Sequence, residues 1–307
     1  MKGLELSESF YNEYGKKMLE QEFGDYLGEI AVGLVGHGSE CFGFDDEKSR
    51  DHDFDAGFNI WIPERDDAVF GFRLFRAYSK LPKEYLGVSV KNKSVGGASF
   101  KGVKTIEEFY SFYIGGKTLP KTNAEWLSIP DFYLAEATNG KVFYDGLGEF
   151  TKIRDYLKNE RPEDVRLKKL ASSLFYMAQS GQYNYKRCMD HGERVAAAMA
   201  LSEFVSSAAA TVFLLNREYA PYYKWLYRSI KRLNELSEVG DLLENALASP
   251  YDSSEVTLLV ESVSAKIIAH LVEMGYVANK GEYLEPYAYA VNDLIRDVNL
   301  RNSPVML

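Results

Sequence analysis

Two aspartates and a glycine-serine pair near the N-terminus have the residue types and spacing that metal and phosphate chemistry requires. Asp51 and Asp53 follow, by about a dozen positions, a loop that contains Gly38 and Ser39. In a β-strand, residues i and i+2 point to the same face about 7 Å apart, so two such carboxylates can converge on one Mg²⁺ ion. We therefore predict that Asp51 and Asp53 bind a divalent metal, Mg²⁺ or Mn²⁺.

The glycine loop (residues 36–39) has the residue types of a phosphate-binding turn. Residues 30–36 form a short apolar run that ends in glycine, which predicts a buried strand before the loop. Gly38 allows the backbone to approach a ligand closely, and Ser39 adds a hydroxyl beside backbone N–H groups. We predict that both residues contact phosphate; the alternative is that Ser39 only caps a helix.

Hydrophobic periodicity predicts the elements that position these residues. Alternation over 52–62 predicts a second strand that carries the aspartates on one face, with Asp55 exposed or beside the site. A helix over 64–80, strands within 85–106 and a last short strand at 142–144 complete this part. From about residue 150 glycine becomes scarce and helical periodicity dominates, in the segments 163–181, 189–216, 220–236, 254–275 and 285–298.

This change in glycine content and in hydrophobic periodicity near residue 150 predicts an α+β fold class. A mixed sheet with helices occupies residues 1–150, and an all-helical bundle occupies residues 151–307. The acidic run at Asp45, Asp46 and Glu47 is predicted to be a solvated loop.

The composition of the chain limits the classes of protein to which it can belong. The 307 residues, 46% hydrophobic and 26% charged, are typical of a soluble globular chain with two domains. Neither a signal peptide nor a long apolar run is visible, so we expect a cytoplasmic protein that does not associate with a membrane. The two cysteines and four histidines form no zinc or redox pattern. The formal net charge of -9 argues against a nucleic-acid partner, because binding phosphodiester backbones requires clustered Lys and Arg.

The Gly38-Ser39 pair followed by Ser49-x-Asp51-x-Asp53 resembles the signature of the polymerase-β-like nucleotidyltransferase superfamily, which includes aminoglycoside nucleotidyltransferases. Within that superfamily the chain resembles the domain-of-unknown-function-4037 family. The stretches that carry this resemblance are 36–53, 126–130 with 140–148, and 213–225.

The resemblance implies a nucleotidyltransferase-like N-terminal fold and Mg²⁺-dependent transfer of a nucleotidyl group, expected to be AMP from ATP. The acceptor would be a hydroxyl or amine of a small molecule. Asp51 and Asp53 would be catalytic and bind the metal, and Gly38 and Ser39 would bind the nucleotide. Lys224 is a further nucleotide-binding candidate, because related enzymes use basic residues of the second domain; the alternative is a solvated surface helix.

The superfamily also uses a third carboxylate on a later strand, as metal ligand or general base. Lys104 stands where that acid is expected. The remaining candidates are Glu107, Glu108, Glu136 and Glu193. Absence of this acid would favour a catalytically inactive nucleotide-binding or regulatory module. Two further alternatives stay open: nucleotidyl transfer to RNA or protein, and a helical adaptor whose aspartate pair binds no metal.

Overall fold

The computed structural model describes residues 1–47, 54–90, 101–250 and 254–307. The chain divides into two compact units. The first contains Met1–Pro120 and Ile129–Glu160, and the second contains Lys121–Ser128 and Arg161–Leu307. These units differ from the predicted ranges 1–150 and 151–307, because the helix Glu149–Asn159 packs on the last strand of the first unit, whereas Asn123–Ser128 packs on a helix of the second.

A four-stranded mixed sheet lies at the centre of the first unit, as the α+β prediction requires. Its strands are β1 (Ala31–Leu34), β2 (Asn59–Ile62), β5 (Gly102–Thr105) and β6 (Lys141–Asp145), in the spatial order β5-β2-β1-β6. β1 is antiparallel to both of its neighbours, and β2 is parallel to β5. A separate hairpin pairs β3 (Glu84–Tyr85) with β4 (Val88–Ser89).

The α-helices follow in chain order: α1 (Gly3–Phe10), α2 (Lys16–Glu22), α3 (Ser39–Phe42), α4 (Glu64–Asp66), α5 (Phe72–Ser79), α6 (Ile106–Ile114), α7 (Asn123–Ser128), α8 (Asp131–Thr138), α9 (Glu149–Asn159), α10 (Glu163–Met177), α11 (Lys186–Asp190), α12 (Arg194–Leu215), α13 (Tyr223–Ile230), α14 (Val239–Ala248), α15 (Ser254–Glu273), α16 (Glu285–Asn292) and α17 (Val298–Asn302). π-helical segments lie at Tyr11–Gly15, Asp67–Gly71 and Ala178–Tyr185, and a 3₁₀ segment lies at Gly24–Glu29.

The strand predicted over 52–62 is shorter in the structure. Within the described residues 54–62, only Asn59–Ile62 is a strand, although residues 54–58 are also buried. Neighbouring elements pack against residues 54–62. The Ser7 hydroxyl of α1 donates a hydrogen bond to the Gly57 carbonyl (2.8 Å), and Trp61 stacks on Phe150 of α9 with ring centroids 4.0 Å apart. The alternating pattern therefore predicts the apolar face correctly, but it predicts strand pairing too broadly and misses the burial of Asp55 and Asn59.

The second unit is built only of helices in its described residues, around a core to which α10, α12, α15 and α16 contribute. α12 lies against α10 and is the one helix among the described residues that is long and apolar enough, by length and composition, to cross a membrane. Of its apolar window, 56% is buried within the structure. A core helix of a soluble protein has this combination of length, hydropathy and burial.

Candidate functional site

The strand register brings four separate chain segments to one end of the sheet. Gly33 of β1 lies opposite Asn59 of β2, so the residues that follow β1 and those that precede β2 are neighbours. Leu34 lies opposite Lys141 of β6, and Gly102 of β5 lies opposite Asn59. Four segments therefore meet there: the glycine loop, the segment 54–58, the residue before β5 and the residues before β6.

The backbone of the glycine loop is held by an amide side chain from the segment before β6. Oδ1 of Asn139 accepts a hydrogen bond from the Gly36 N–H, and Nδ2 of Asn139 donates to the Gly36 carbonyl, each at 2.8 Å. Gly36 and Gly38 have φ of 115° and 121°. A Cβ at Gly36 would lie 2.6 Å from the Tyr113 hydroxyl, so the chain needs glycine there for space as well as for conformation.

Gly38 and Ser39 lie at the start of α3. Gly38 is the N-cap residue, and Ser39 is the buried first residue of the helix, so the alternative that Ser39 is the cap is wrong. The Gly38 carbonyl accepts a hydrogen bond from the Cys41 N–H (3.2 Å), and the Ser39 carbonyl accepts one from Phe44 (2.9 Å). Binding of phosphate by Gly38 and Ser39 stays a prediction.

Directly beneath the loop lies a buried ion cluster, which we call the Lys101 cluster (Glu40, Asp55 and Lys101). Nζ of Lys101 is 3.1 Å from Oε1 of Glu40 and 3.5 Å from Oδ1 of Asp55, and all three side chains are at most 8% exposed. The same ammonium donates to the Asp55 carbonyl at 2.8 Å. The cluster joins α3 to the segment that precedes β2.

Burial and charge act against each other in this cluster. Burial raises the pKa of Asp55, and the Lys101 ammonium offsets part of that effect. For Lys101, burial alone would lower the pKa, but attraction by Asp55 and Glu40 outweighs it and the pKa is raised. The alternative that Asp55 is exposed is therefore wrong: its charge is buried because Lys101, 46 residues later, compensates it. The alternative that Asp55 lies beside the site stays a prediction.

The acidic run after α3 is only partly solvated. Asp46 and Glu47 are exposed, as predicted, but Asp45 is buried. Oδ2 of Asp45 accepts a hydrogen bond from the Gly3 N–H at 2.8 Å, and Lys2 lies 3.9 Å from Oδ1. This aspartate anchors the start of α1, which local sequence could not reveal.

A histidine of the glycine loop pairs with one of the candidate acids. Nδ1 of His37 lies 3.3 Å from Oε1 of Glu136 in α8, and the two residues are 99 positions apart in the chain. Glu136 is buried and the His37 side chain is half-exposed. No local signal distinguishes Glu136 from the other acids, because only the packing of α8 brings it to the loop.

The other predicted site residues are distributed as follows. Asp51 and Asp53 lie outside the described residues, so their roles stay predictions. Lys224 lies on α13 of the second unit and is exposed. Glu193 lies just before α12 and is also exposed. Lys104 lies in β5, where burial lowers its pKa. Glu107 and Glu108 lie in the first turn of α6.

Oxygen donors for a metal are limited in the part of the chain that the structure describes. Across residues 1–47, 54–90, 101–250 and 254–307, no group of three or more His, Cys, Asp or Glu side chains is arranged to hold a metal ion. Lys101 contacts Glu40 and Asp55, and Oδ1 of Asn59 is buried there without a hydrogen-bond partner among the described residues. Asp51 and Asp53, the predicted metal ligands, lie outside these residues, so metal binding stays a prediction.

Residues 126–226 match the family model described as "Domain of unknown function (DUF4037)". This match confirms the resemblance predicted from 126–130, 140–148 and 213–225. It includes parts of both compact units and Lys224, and it does not include the glycine loop or the two aspartates.

A search of curated proteins finds no match. Among solved structures, the chain is similar to a nucleotidyltransferase-like protein from Exiguobacterium sibiricum 255-15, with a TM-score of 0.36 and 11% sequence identity. The alignment covers 85% of this chain and 79% of that chain.

Proposed function

We propose that this protein is a Mg²⁺-dependent nucleotidyltransferase that moves a nucleotidyl group, AMP from ATP, to a hydroxyl or amine of a small molecule. One observation carries the proposal. The glycine loop and Asp55, which follows Asp53 by two residues, lie at the same end of the sheet and are joined through Glu40 and Lys101. The predicted phosphate-binding turn and the described segment that follows the aspartate pair are thus neighbours, which supports the proposal.

The proposed roles follow from charge and hydrogen bonding. Backbone N–H groups at Gly38 and Ser39 bind phosphate oxygens, and Asp51 and Asp53 hold the metal. When bound, the metal ion supplies positive charge that neutralises the triphosphate and orients it. The acceptor oxygen or nitrogen forms a bond to the α-phosphorus of ATP. The bond between the α-phosphorus and the oxygen that bridges it to the β-phosphorus breaks, and pyrophosphate leaves. The acceptor loses its proton to a carboxylate or to water.

The acceptor and the compartment are proposed from bulk properties. A formal net charge of -9 favours a neutral or cationic small molecule over RNA, because an anionic polymer would be repelled. Lys224, exposed on α13, is proposed to add positive charge to the nucleotide site. We place the protein in the cytoplasm, where ATP is available.

One observation favours a second function, a nucleotide-binding module without catalysis. Lys104 occupies β5, the strand beside β2, where the superfamily is expected to carry its third acid. Of the described carboxylates beside the loop, Glu40 and Asp55 already neutralise Lys101, and Glu136 pairs with His37. A site that binds MgATP but lacks a base for the acceptor fits these facts.

The test uses the full chain with Mg²⁺, ATP labelled at the α-phosphorus and a panel of hydroxyl- and amine-bearing acceptors. Asp51→Asn and Asp53→Asn should lower transfer by about 100-fold or more, because loss of a metal ligand removes charge stabilisation from the transition state. Asp25→Asn, the same change at an exposed position of the first unit, is the control and should transfer as the unaltered protein does. Equal turnover in all three variants refutes the proposal. Binding of MgATP without transfer to any acceptor supports the inactive module.

A further inference from the structure

A groove of about 590 Å³ lies on the second unit, between α15 and the chain segment 279–282. Its floor is one face of α15, formed by Ala265, Ile268, Ala269 and Val272 at the helical spacing i, i+3, i+4 and i+7. The two alanines are exposed, and their short side chains leave room above the helix. The floor is therefore apolar, and the volume falls in the range of small-molecule sites, about 300–1,000 Å³.

The opposite wall of this groove is held by hydrogen bonds within the protein. The hydroxyl of Tyr287, a fully buried residue, accepts a hydrogen bond from the Lys280 N–H and donates one to the Gly281 carbonyl, each at 2.7 Å. In addition, Nε2 of Gln182 donates to the Glu282 carbonyl at 3.0 Å. These contacts fix the backbone of the wall, so little conformational entropy is lost there when a ligand binds.

The charge of the groove is negative. Of the described residues that line it, two are charged, and both are carboxylates, Glu273 and Glu282. Both are exposed, and neither forms an ion pair with another described residue. Lys266 of α15 pairs with Glu238 at 3.0 Å, and Lys280 is not among the lining residues. An apolar floor with two such carboxylates beside it favours an organic cation and disfavours an anion.

The length of the floor limits the size of the ligand. From Ala265 to Val272 the helix rises by about 10 Å, which is two turns. A stable protein partner buries about 800 Å² on each side, and a floor of two turns supplies only part of that area. A ring system with an aminoalkyl arm, in contrast, is covered by a floor of this length.

We propose that the groove between α15 and segment 279–282 is a binding site for a small organic cation, an amine with an apolar body. The body packs on the exposed face of α15, and the ammonium group lies beside Glu273 and Glu282. This site belongs to the second unit, and the inference goes beyond the proposed nucleotidyl transfer.

Three matched probes test the inference on the full chain: tryptamine, the neutral tryptophol and the anionic indolepropionate. They share an indole ring and differ in the charge of the side arm. In spectra of protein labelled with ¹³C at its methyl groups, tryptamine should shift the Ile268 methyl signal in a saturable manner. Tryptamine should bind about tenfold more tightly than tryptophol, because it gains two ion pairs. Indolepropionate should bind more weakly than either, because the two carboxylates repel it.

Variants at exposed positions separate the charge of the groove from its shape. Glu273→Gln/Glu282→Gln should bind tryptamine and tryptophol about equally, with the affinity for tryptophol unchanged. Glu255→Gln, at an exposed position of α15, is the matched control and should bind as the unaltered protein does. Ala269→Leu fills the space above the floor and should abolish binding of both probes, while circular dichroism shows that the fold is retained.

The absence of a saturable shift of the Ile268 methyl signal with millimolar tryptamine overturns the inference. Equal affinity for tryptamine and indolepropionate also overturns it, as does an affinity for tryptamine that Glu273→Gln/Glu282→Gln leaves unchanged. A lysine-rich amphipathic peptide that binds through the same carboxylates when tryptamine does not would assign the groove to a protein partner instead. Shifts that follow protein concentration alone would assign it to a second copy of the chain.

Discussion

Nζ of Lys101 lies 3.1 Å from Oε1 of Glu40, with both side chains 8% exposed. This contact joins the residue before β5 to α3, and the neighbouring contact to Asp55 extends it to the segment before β2. Three chain segments that are distant in sequence are thus fixed to one another by one ammonium group. The position of the glycine loop relative to the segment that follows Asp53 depends on it.

Removal of that ammonium should destabilise the first unit. Lys101→Met leaves two buried carboxylates without their partner, which costs about 3–5 kcal/mol in the free energy of unfolding. Urea denaturation followed by circular dichroism measures this change. Lys17→Met, the same substitution at an exposed lysine of α2, is the control and should change stability by less than about 0.5 kcal/mol. Equal unfolding midpoints for the two variants would show that the cluster contributes nothing to stability.

The backbone at Gly38 should not tolerate a side chain. Its φ of 121° and ψ of 149° lie in a region that is essentially restricted to glycine, so Gly38→Ala should cost about 1–3 kcal/mol and weaken phosphate binding. Gly24→Ala is the control, because a Cβ at Gly24 meets nothing within 4 Å and its φ is not positive. Thermal unfolding and tripolyphosphate calorimetry measure the two effects. If both alanine variants unfold at the same temperature, a side chain at position 38 introduces no backbone strain, which contradicts this prediction.

The clamp on the glycine loop should depend on the amide of Asn139. Asn139→Asp retains the shape of the side chain but loses the donor to the Gly36 carbonyl, and we expect a loss of about 1–3 kcal/mol. Asn12→Asp, the same change at an exposed position, is the control. Hydrogen exchange at the Gly36 amide provides a local measurement. Unchanged exchange in Asn139→Asp contradicts the role assigned to this side chain.

In the second unit, Glu163 should make stability depend on pH. Hydrogen bonding to Arg166, whose side chain is 2% exposed, is the main cause that lowers the pKa of Glu163 to about 2 from its ordinary 4.5. A carboxyl with a depressed pKa stabilises the folded state fully above its unfolded value, and this contribution is lost as pH falls towards the folded value.

Glu163→Gln should therefore unfold more easily than the unaltered protein at pH about 7, and the difference should shrink between pH about 4.5 and about 2. Since Glu163 is 46% exposed, solvent screens the interaction, and we expect about 1 kcal/mol at neutral pH. Glu255→Gln, at an exposed position of α15, should show no such trend. A constant difference in unfolding free energy between Glu163→Gln and the unaltered protein from pH about 7 to pH about 3 contradicts the assignment.

Local sequence signals predict the sheet and most helices of the fold. The strand within residues 30–36 and the last strand at 142–144 correspond to β1 and β6, and the helix predicted over 254–275 corresponds to α15. These elements have strong periodicity or clear glycine boundaries.

The candidate site could be predicted only in part, because much of it is assembled by long-range contacts. The glycine loop is visible in the sequence as a strand that ends in glycine and serine. Lys101, Glu136 and Asn139 have no local pattern that marks them, and each reaches the loop through the packing of β5, α8 or β6. The sequence predicts Asp55 to be exposed or beside the site, and it does not reveal the burial of this residue because the compensating Lys101 is remote in the sequence.

A crystal structure of the full chain with Mg²⁺ and a non-hydrolysable ATP analogue tests the central claim most directly. We predict one metal ion with carboxylate oxygens of Asp51 and Asp53 at about 2.0–2.1 Å, and the triphosphate against Gly38 and Ser39. A metal held by other residues, or a nucleotide bound away from this end of the sheet, would contradict the assignment.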